Sequence, residues 1–196
     1  MTTPHMLYLM RHGAPAKEGR LLGRTDDAVT QAGIAACTAR ASRLAVDHIV
    51  SSDLARARDC AHAIATPLGA GLTVRQDPRW RELDFGAWDG MAPSSIDPLA
   101  LARFYDDPDE APPPGGERWS ALQDRVVSAL DDLPAEPTLI VTHGGAIRVA
   151  LAAMCGFDRR QIWAFDLPYA ALLSLRVWPS ADPAMPSVVQ ITGLAT

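Results

Sequence analysis

The first clear feature of the hydrophobic pattern is Leu7-Tyr8-Leu9-Met10, four apolar positions followed at once by Arg11, His12 and Gly13. A short unbroken apolar run reads as a buried strand. Ala14 to Asp27, rich in Gly, Arg and Asp, reads as a loop. Thr30 is placed to N-cap a helix over Gln31 to Leu44. Val46 to Ser51 is a second β-branched run, and Ser51, Ser52 or Asp53 can cap a helix from about Leu54 to Leu68 that stops at Gly69. Leu72-Thr73-Val74 is a third short strand. Strand, helix, strand, helix, strand predicts a parallel sheet with helices on its faces.

The pattern breaks between Asp84 and Glu117, where Pro93, Pro98, Pro108 and Pro112-Pro113-Pro114-Gly115-Gly116 leave room only for a short helix near Leu99 to Tyr105. This stretch reads as an excursion from the core, a lid over about 87–118. The pattern resumes with an amphipathic helix over Trp119 to Leu133. Thr138-Leu139-Ile140-Val141-Thr142 is the clearest buried strand, followed by His143-Gly144-Gly145 and a helix over Ala146 to Met154. Ala171 to Val177 and Val188 to Ile191 read as edge strands. The expectation is one α/β domain over 1–196, a three-layer sandwich with a mostly parallel sheet and a Pro-rich lid.

Composition narrows the function. The 196 residues are 48% hydrophobic and 21% charged, the balance of a globular protein able to bury a core. A net charge of -5 with no Lys/Arg run argues against a nucleic-acid surface, and no apolar run reaches membrane-span length. No signal segment is apparent, so a cytoplasmic location is expected. Cys37, Cys60 and Cys155 are widely spaced with no CxxC pair, so buried free thiols are expected and no metal site.

The chemistry concentrates at strand ends, where open α/β sheets bind ligands. Arg11-His12-Gly13 alone also fits a basic strand end without function. His143-Gly144-Gly145 changes that, because parallel neighbouring strands put both imidazoles at one edge of the sheet. Glycine after each lets a ligand approach the backbone, and Gly144 opens a helix whose free amides suit a phosphate oxygen. Arg56, at a helix start in Ser52-Asp53-Leu54-Ala55-Arg56-Ala57, adds a cation, with Arg58 its rival on another face. Glu82 sits among apolar and aromatic neighbours in Arg81-Glu82-Leu83-Asp84-Phe85-Gly86-Ala87-Trp88-Asp89-Gly90, where desolvation would raise its pKa as a general acid requires. Asp84 and Asp89 read as turn residues. His5, His48 and His62 are expected to be non-catalytic.

Taken in order, Arg11-His12-Gly13, Gly23, Thr30-Gln31-Ala32-Gly33, Ser52 to Ala57, Glu82 with Phe85-Gly86, Trp88 and Gly90, and His143-Gly144-Gly145 resemble the histidine phosphatase (phosphoglycerate-mutase-like) superfamily. The resemblance spans about Leu7 to Leu151. It implies a metal-independent phosphoric monoester hydrolase of the histidine acid type with no cofactor. His12 would become phosphohistidine, and Glu82 would protonate the leaving oxygen and then activate water. Arg11, Arg56 and His143 would clamp the phosphoryl oxygens, with backbone near Gly23 and Gly144 assisting. The implied partner is a small-molecule phosphomonoester, not a nucleic acid or a membrane, with a homodimer left open.

Within the superfamily the chain departs from the mutase pattern. Ala14-Pro15 replaces an acid-threonine pair, Glu18 an asparagine, and Phe85 a tyrosine. The lid lacks the adjacent arginine pair that holds phosphoglycerate, and Arg159-Arg160 lies in the wrong place to substitute. His-Gly-Gly stands where mutases carry His-Gly-Asn. Gly23-Arg24-Thr25-Asp26, Glu82 to Gly90 and Pro114-Gly115-Gly116-Glu117 are similar to α-ribazole phosphatases of cobalamin biosynthesis. Val29 and Arg118 depart from that pattern. Trp88, Phe104, Tyr105 and Trp119 offer the lid an aromatic lining suited to a flat heteroaromatic leaving group, although the same residues can pack the lid onto the core. A broad-specificity sugar or nucleotide phosphatase, a phosphoglycerate mutase and an inactive binding module are the alternatives.

Overall fold

A computed structural model describes residues 3–69, 71–182 and 186–196. Strand β1 (His5–Arg11) is followed by helix α1 (Gln31–Ala41), β2 (His48–Ser51), α2 (Ala55–Leu68) and β3 (Val74–Gln76). Three single-turn 3₁₀ segments and α3 (Pro98–Asp106) lead to α4 (Trp119–Asp131). Then come β4 (Thr138–Thr142), α5 (Gly144–Cys155), α6 (Arg159–Ile162), β5 (Leu172–Trp178) and β6 (Val188–Ala195). The six strands form one sheet in the order β3-β2-β4-β1-β5-β6. The first four are parallel, and β5 and β6 are antiparallel additions.

The pleat explains why the apolar runs are unbroken. Successive side chains of a strand face opposite sides of the sheet, and both sides are covered here. On β1, Leu9 packs with Leu122, Val126, Ile147 and Leu151 of α4 and α5. Met10, next in line, packs with Cys37, Ala41, Cys60 and Ile64 of α1 and α2. Ile140 of β4 joins the first cluster, and Leu139 and Val141 join the second. The architecture is the expected three-layer α/β sandwich with a mostly parallel sheet.

Several expected boundaries move. Helix α1 ends at Ala41 rather than Leu44, and β3 lies at Val74–Gln76 rather than 72–74. No side chain of Ser51 or Asp53 caps α2; Leu54 is its N-cap, and the Ala55 N–H donates to Asp26 Oδ1 from the preceding loop. The strand predicted over Ala171 to Val177 is not an edge, since β5 pairs with β1 on one side and β6 on the other. Its polar Ser174 and Arg176 gave it the look of an edge. Of the two strands expected at an edge, β6 is one, and it runs to Ala195.

The Pro-rich excursion is tied to the core by its aromatic residues. Trp88 is 8% and Phe104 6% exposed, and the two rings meet edge to face at 5.7 Å. With half-buried Trp119 they pack against the α4–α5 side of the core. These three rings hold the segment down on the core, and Tyr105 is the exposed member of the expected set.

Candidate active site

The site begins with strand register. Arg11 on β1 lies opposite Thr142 on β4, so His12 and His143 are the next residues on adjacent parallel strands. The His12 N–H donates to the Thr142 carbonyl at 2.8 Å, and the imidazole centroids are 5.0 Å apart. The two histidines that sequence places after separate strands thus share one sheet edge.

Their chemistry differs. His12 Nδ1 lies 2.7 Å from the Gly13 carbonyl, which can only accept, so Nδ1–H donates and Nε2 carries the free lone pair. His143 is fully buried, and neither of its ring nitrogens has a partner. Burial first, and then the Arg56 and Arg11 guanidiniums, hold both imidazoles well below the usual histidine range; the His12 bond to Gly13 opposes this in part. Both rings are therefore neutral near pH 7, as nucleophilic nitrogen requires.

The His12 backbone is braced from beneath. The Gly13 N–H donates to Cys60 Sγ at 3.4 Å, and the Cys37 thiol reaches the Arg11 carbonyl at 3.9 Å. Cys37 and Cys60 are buried free thiols as expected, whereas Cys155 is half-buried. Gly13 and Gly33 meet backbone to backbone; a Cβ on Gly13 would collide with Gly33, and one on Gly33 with the backbone of Ala14. Ala170, in the left-handed region at φ 60°, donates its N–H to the His12 carbonyl at 3.0 Å.

Two guanidiniums converge on the rings. Arg11 lies 4.2 Å over the Tyr169 ring and donates through Nη1 to the Leu167 carbonyl at 2.6 Å, leaving Nε unpartnered. Arg56 is fully buried. It donates to the carbonyls of Leu22, Gly23 and Thr25, and its Nε is also unpartnered. Arg58 instead pairs with Asp59 on the half-exposed side of α2.

Gly23 corrects an expectation. Its N–H donates to Asp89 Oδ1 at 3.0 Å, and Asp89 also accepts from Arg24 and Thr25, so the carboxylate holds this loop and the Gly23 amide is not available to a phosphoryl oxygen. Asp84 is likewise a turn residue, accepting from the Gly86 N–H and pairing with Arg24.

Glu82 is half-buried and reaches the start of α5. Its carboxylate accepts from the Leu83 N–H at 2.9 Å and from the Gly145 N–H at 3.1 Å. A Cβ at position 145 would meet Glu82 Oε1, so a side chain there would have to displace the carboxylate from the Gly145 N–H. Arg125 of α4 fixes the Glu82 backbone by donating to the carbonyls of Arg79, Arg81 and Glu82 while paired with Glu117. Glu82 also opens onto a cleft of about 280 Å³ with Arg24, Arg79, Arg81 and Arg125, each neutralised by a carboxylate partner. Arg11 and Arg56, by contrast, form no ion pair among the described residues and keep unfilled N–H groups for a ligand anion.

A family model for the histidine phosphatase superfamily (branch 1) matches residues 7–183. The chain belongs to the histidine phosphatase superfamily. It is 33% identical over 162 residues to a probable phosphoglycerate mutase of Yersinia pestis, covering 76% of this chain and 74% of that one. A solved mycobacterial hydrolase superposes with a TM-score of 0.83 at 27% identity, covering 96% of this chain and 97% of that chain. A mycobacterial glucosyl-3-phosphoglycerate phosphatase gives 0.79 at 28% identity, covering 96% and 98%. This histidine phosphatase has, among its described residues, no group of three or more His, Cys, Asp or Glu able to hold a metal ion, and no helix long and apolar enough to cross a membrane.

Sequence reasoning missed Tyr169, the platform under Arg11, and the role of Arg125. Tyr169 belongs to an alternation, Trp163, Phe165, Leu167, Tyr169, that was visible but unassigned. Arg125 had no signal, because its partners come from 79–82 and 117.

Proposed function

We propose that this histidine phosphatase is a metal-independent phosphomonoesterase that works through a phosphohistidine at His12 Nε2. The observation that carries the reading is the His12 tether: Nδ1–H is held by Gly13, so a neutral ring presents Nε2 where two guanidiniums with unfilled donors and a second neutral imidazole converge. Nε2 attacks phosphorus as the P–O ester bond breaks. Arg11, Arg56 and His143 stabilise the equatorial oxygens, and protonated Glu82 gives its proton to the leaving oxygen. Water then attacks phosphorus, Glu82 takes its proton, the N–P bond breaks, and neutral His12 returns. The helix start at Gly144 adds dipolar support for the anion.

For the substrate we propose α-ribazole 5′-phosphate or the corresponding cobalamin phosphate. The similarity at residues 23–26, 82–90 and 114–117 and the absence of an arginine pair from 87–118 support this choice. Exposed Tyr105 and Trp163, 6.1 Å apart and near perpendicular, offer a flat leaving group an aromatic lip. The glucosyl-3-phosphoglycerate phosphatase neighbour favours a second reading, a broader phosphatase of sugar-type esters.

The test is turnover of p-nitrophenyl phosphate with and without EDTA, then kcat/KM for α-ribazole 5′-phosphate, 3-phosphoglycerate, AMP and fructose phosphates. Unchanged rates with EDTA and a clear ribazole preference are expected. No turnover between about pH 4 and 8 would return the chain to a binding role. A ribazole ester no better than AMP would remove the cobalamin assignment and leave the phosphatase.

A further inference from the structure

The segment from Trp163 to Tyr169 passes under two arginines in turn. At one end the Tyr169 ring lies beneath Arg11, which donates to the Leu167 carbonyl. At the other the Trp163 ring lies 4.3 Å from the Arg148 guanidinium carbon, and Arg148 donates through Nη2 to the Phe165 carbonyl at 3.3 Å. One strip of chain builds the same cradle twice, an aromatic platform with a carbonyl two residues towards its centre.

Arg148 is four residues beyond Gly144, one turn along the same face of α5, and helical side chains lean toward the N-terminus. It therefore returns to the mouth of the site. A Cβ at Gly144 would lie 3.3 Å from Arg148 Nη1 and 3.8 Å from Arg11 Nε, so the two guanidiniums flank one glycine. Arg148 forms no ion pair among the described residues. Its bond to the Gly144 carbonyl is also long, at 3.3 Å, and its buried Nε–H has no partner. Guanidinium carries five N–H donors, and most of them here are unfilled. Glu82 is the foremost acidic group acting on it, although not in ion-pair contact, and Arg11 opposes that attraction.

We propose that Arg148, held over the Trp163 ring, is a specificity-determining residue that donates to an acceptor oxygen on the leaving alcohol. The inference rests on the phosphomonoesterase reading and adds what the alcohol half must carry. Arg11 holds the transferred phosphoryl group, and Arg148, in the neighbouring cradle beside the acid Glu82, faces the half that departs. The site then takes esters with oxygen close to the ester bond, whether a sugar hydroxyl or a carboxylate, ahead of plain aryl phosphates. A ribose between phosphate and base meets that requirement.

The test compares wild type and Arg148→Met on phenyl phosphate, ribose 5-phosphate and 3-phosphoglycerate. Losses of about 10- to 100-fold in kcat/KM are expected on the two oxygen-bearing esters, chiefly through KM, against less than about threefold on phenyl phosphate. A larger loss on ribose 5-phosphate identifies the oxygen as a hydroxyl, and a larger loss on 3-phosphoglycerate identifies it as a carboxylate; both support the assignment. Arg148→Lys, which keeps the charge and the stem but loses the planar fork, gives a second route should Arg148→Met fold poorly, with the same selective pattern at smaller size. Equal losses on all three esters, or none, overturn the Arg148 role while wild-type turnover keeps the phosphatase reading. A wild type inactive on all three overturns both.

Discussion

Strand β1 ends in Arg-His-Gly and strand β4 in Thr-His-Gly, on neighbouring strands, in register, each histidine followed by glycine. Yet one imidazole is tethered through Nδ1 in a residue that stays 5% exposed, and the other is fully buried with both nitrogens unpartnered. A nucleophile needs a fixed ring and an accessible lone pair, which His12 has. A ligand to a charged oxygen needs an empty hydrogen-bonding position in a dry place, which His143 has. Equal motifs thus acquire unequal surroundings from one hydrogen bond and the depth of each ring.

The largest effect that tests this asymmetry is at His12. His12→Ala should lower kcat by about 10⁴-fold or more and abolish the acid-labile phosphoenzyme, read by quenching with labelled substrate. His143→Ala should cost about 10²- to 10³-fold, while slow labelling of His12 persists. Labelling that survives in His12→Ala and vanishes in His143→Ala would reverse the two roles.

Glu82 joins the His143 side through Gly145, so its role sharpens the contrast between attack and departure. Glu82→Gln should cost about 10²-fold on alkyl phosphates and about tenfold or less on p-nitrophenyl phosphate, whose leaving group departs without a proton. Equal losses would make Glu82 structural. Arg56 acts on both imidazoles and holds the Leu22–Thr25 loop. Arg56→Ala should therefore reduce kcat/KM by tens-fold, and Arg58→Ala, which removes only an exposed pair, by less than about twofold.

The smallest effect is thermodynamic. Both imidazoles are depressed in the folded protein, so the unfolded chain binds protons first as pH falls. Their contribution to stability is complete above about pH 6.5 and declines below it, by up to about 1.4 kcal/mol per pH unit for each ring. Denaturant titrations from about pH 7 to 5 should show the slope, and His143→Gln should remove about half of it. A slope unchanged in that variant would mean His143 is not held neutral by burial.

Much of this protein was legible in its sequence, because local physics wrote it there. Unbroken apolar runs announced strands covered on both faces, and β4 was read to the residue at Thr138–Thr142. Thr30 was read as the N-cap, and its side chain accepts from the Gly33 N–H as such a residue should. His12, His143, Arg11 and Arg56 were legible because each adjoins a strand end or a helix start, and Glu82 because it is an acid among apolar and aromatic neighbours. The structure brings all five together. What the sequence left undecided depends on residues far apart in the chain. The Gly23 amide is lost to Asp89, 66 residues on, and the Glu82 backbone is held by Arg125. β5 became interior because β6 covers it, and Trp88 and Phe104 turned inward because the core offered them contact. Arg148 looked like any helical arginine until Trp163, fifteen residues away in the chain, was folded beneath it. Propensity and pattern act over a few residues and can be read in order, whereas burial, pairing and orphaned donors exist only once distant segments meet.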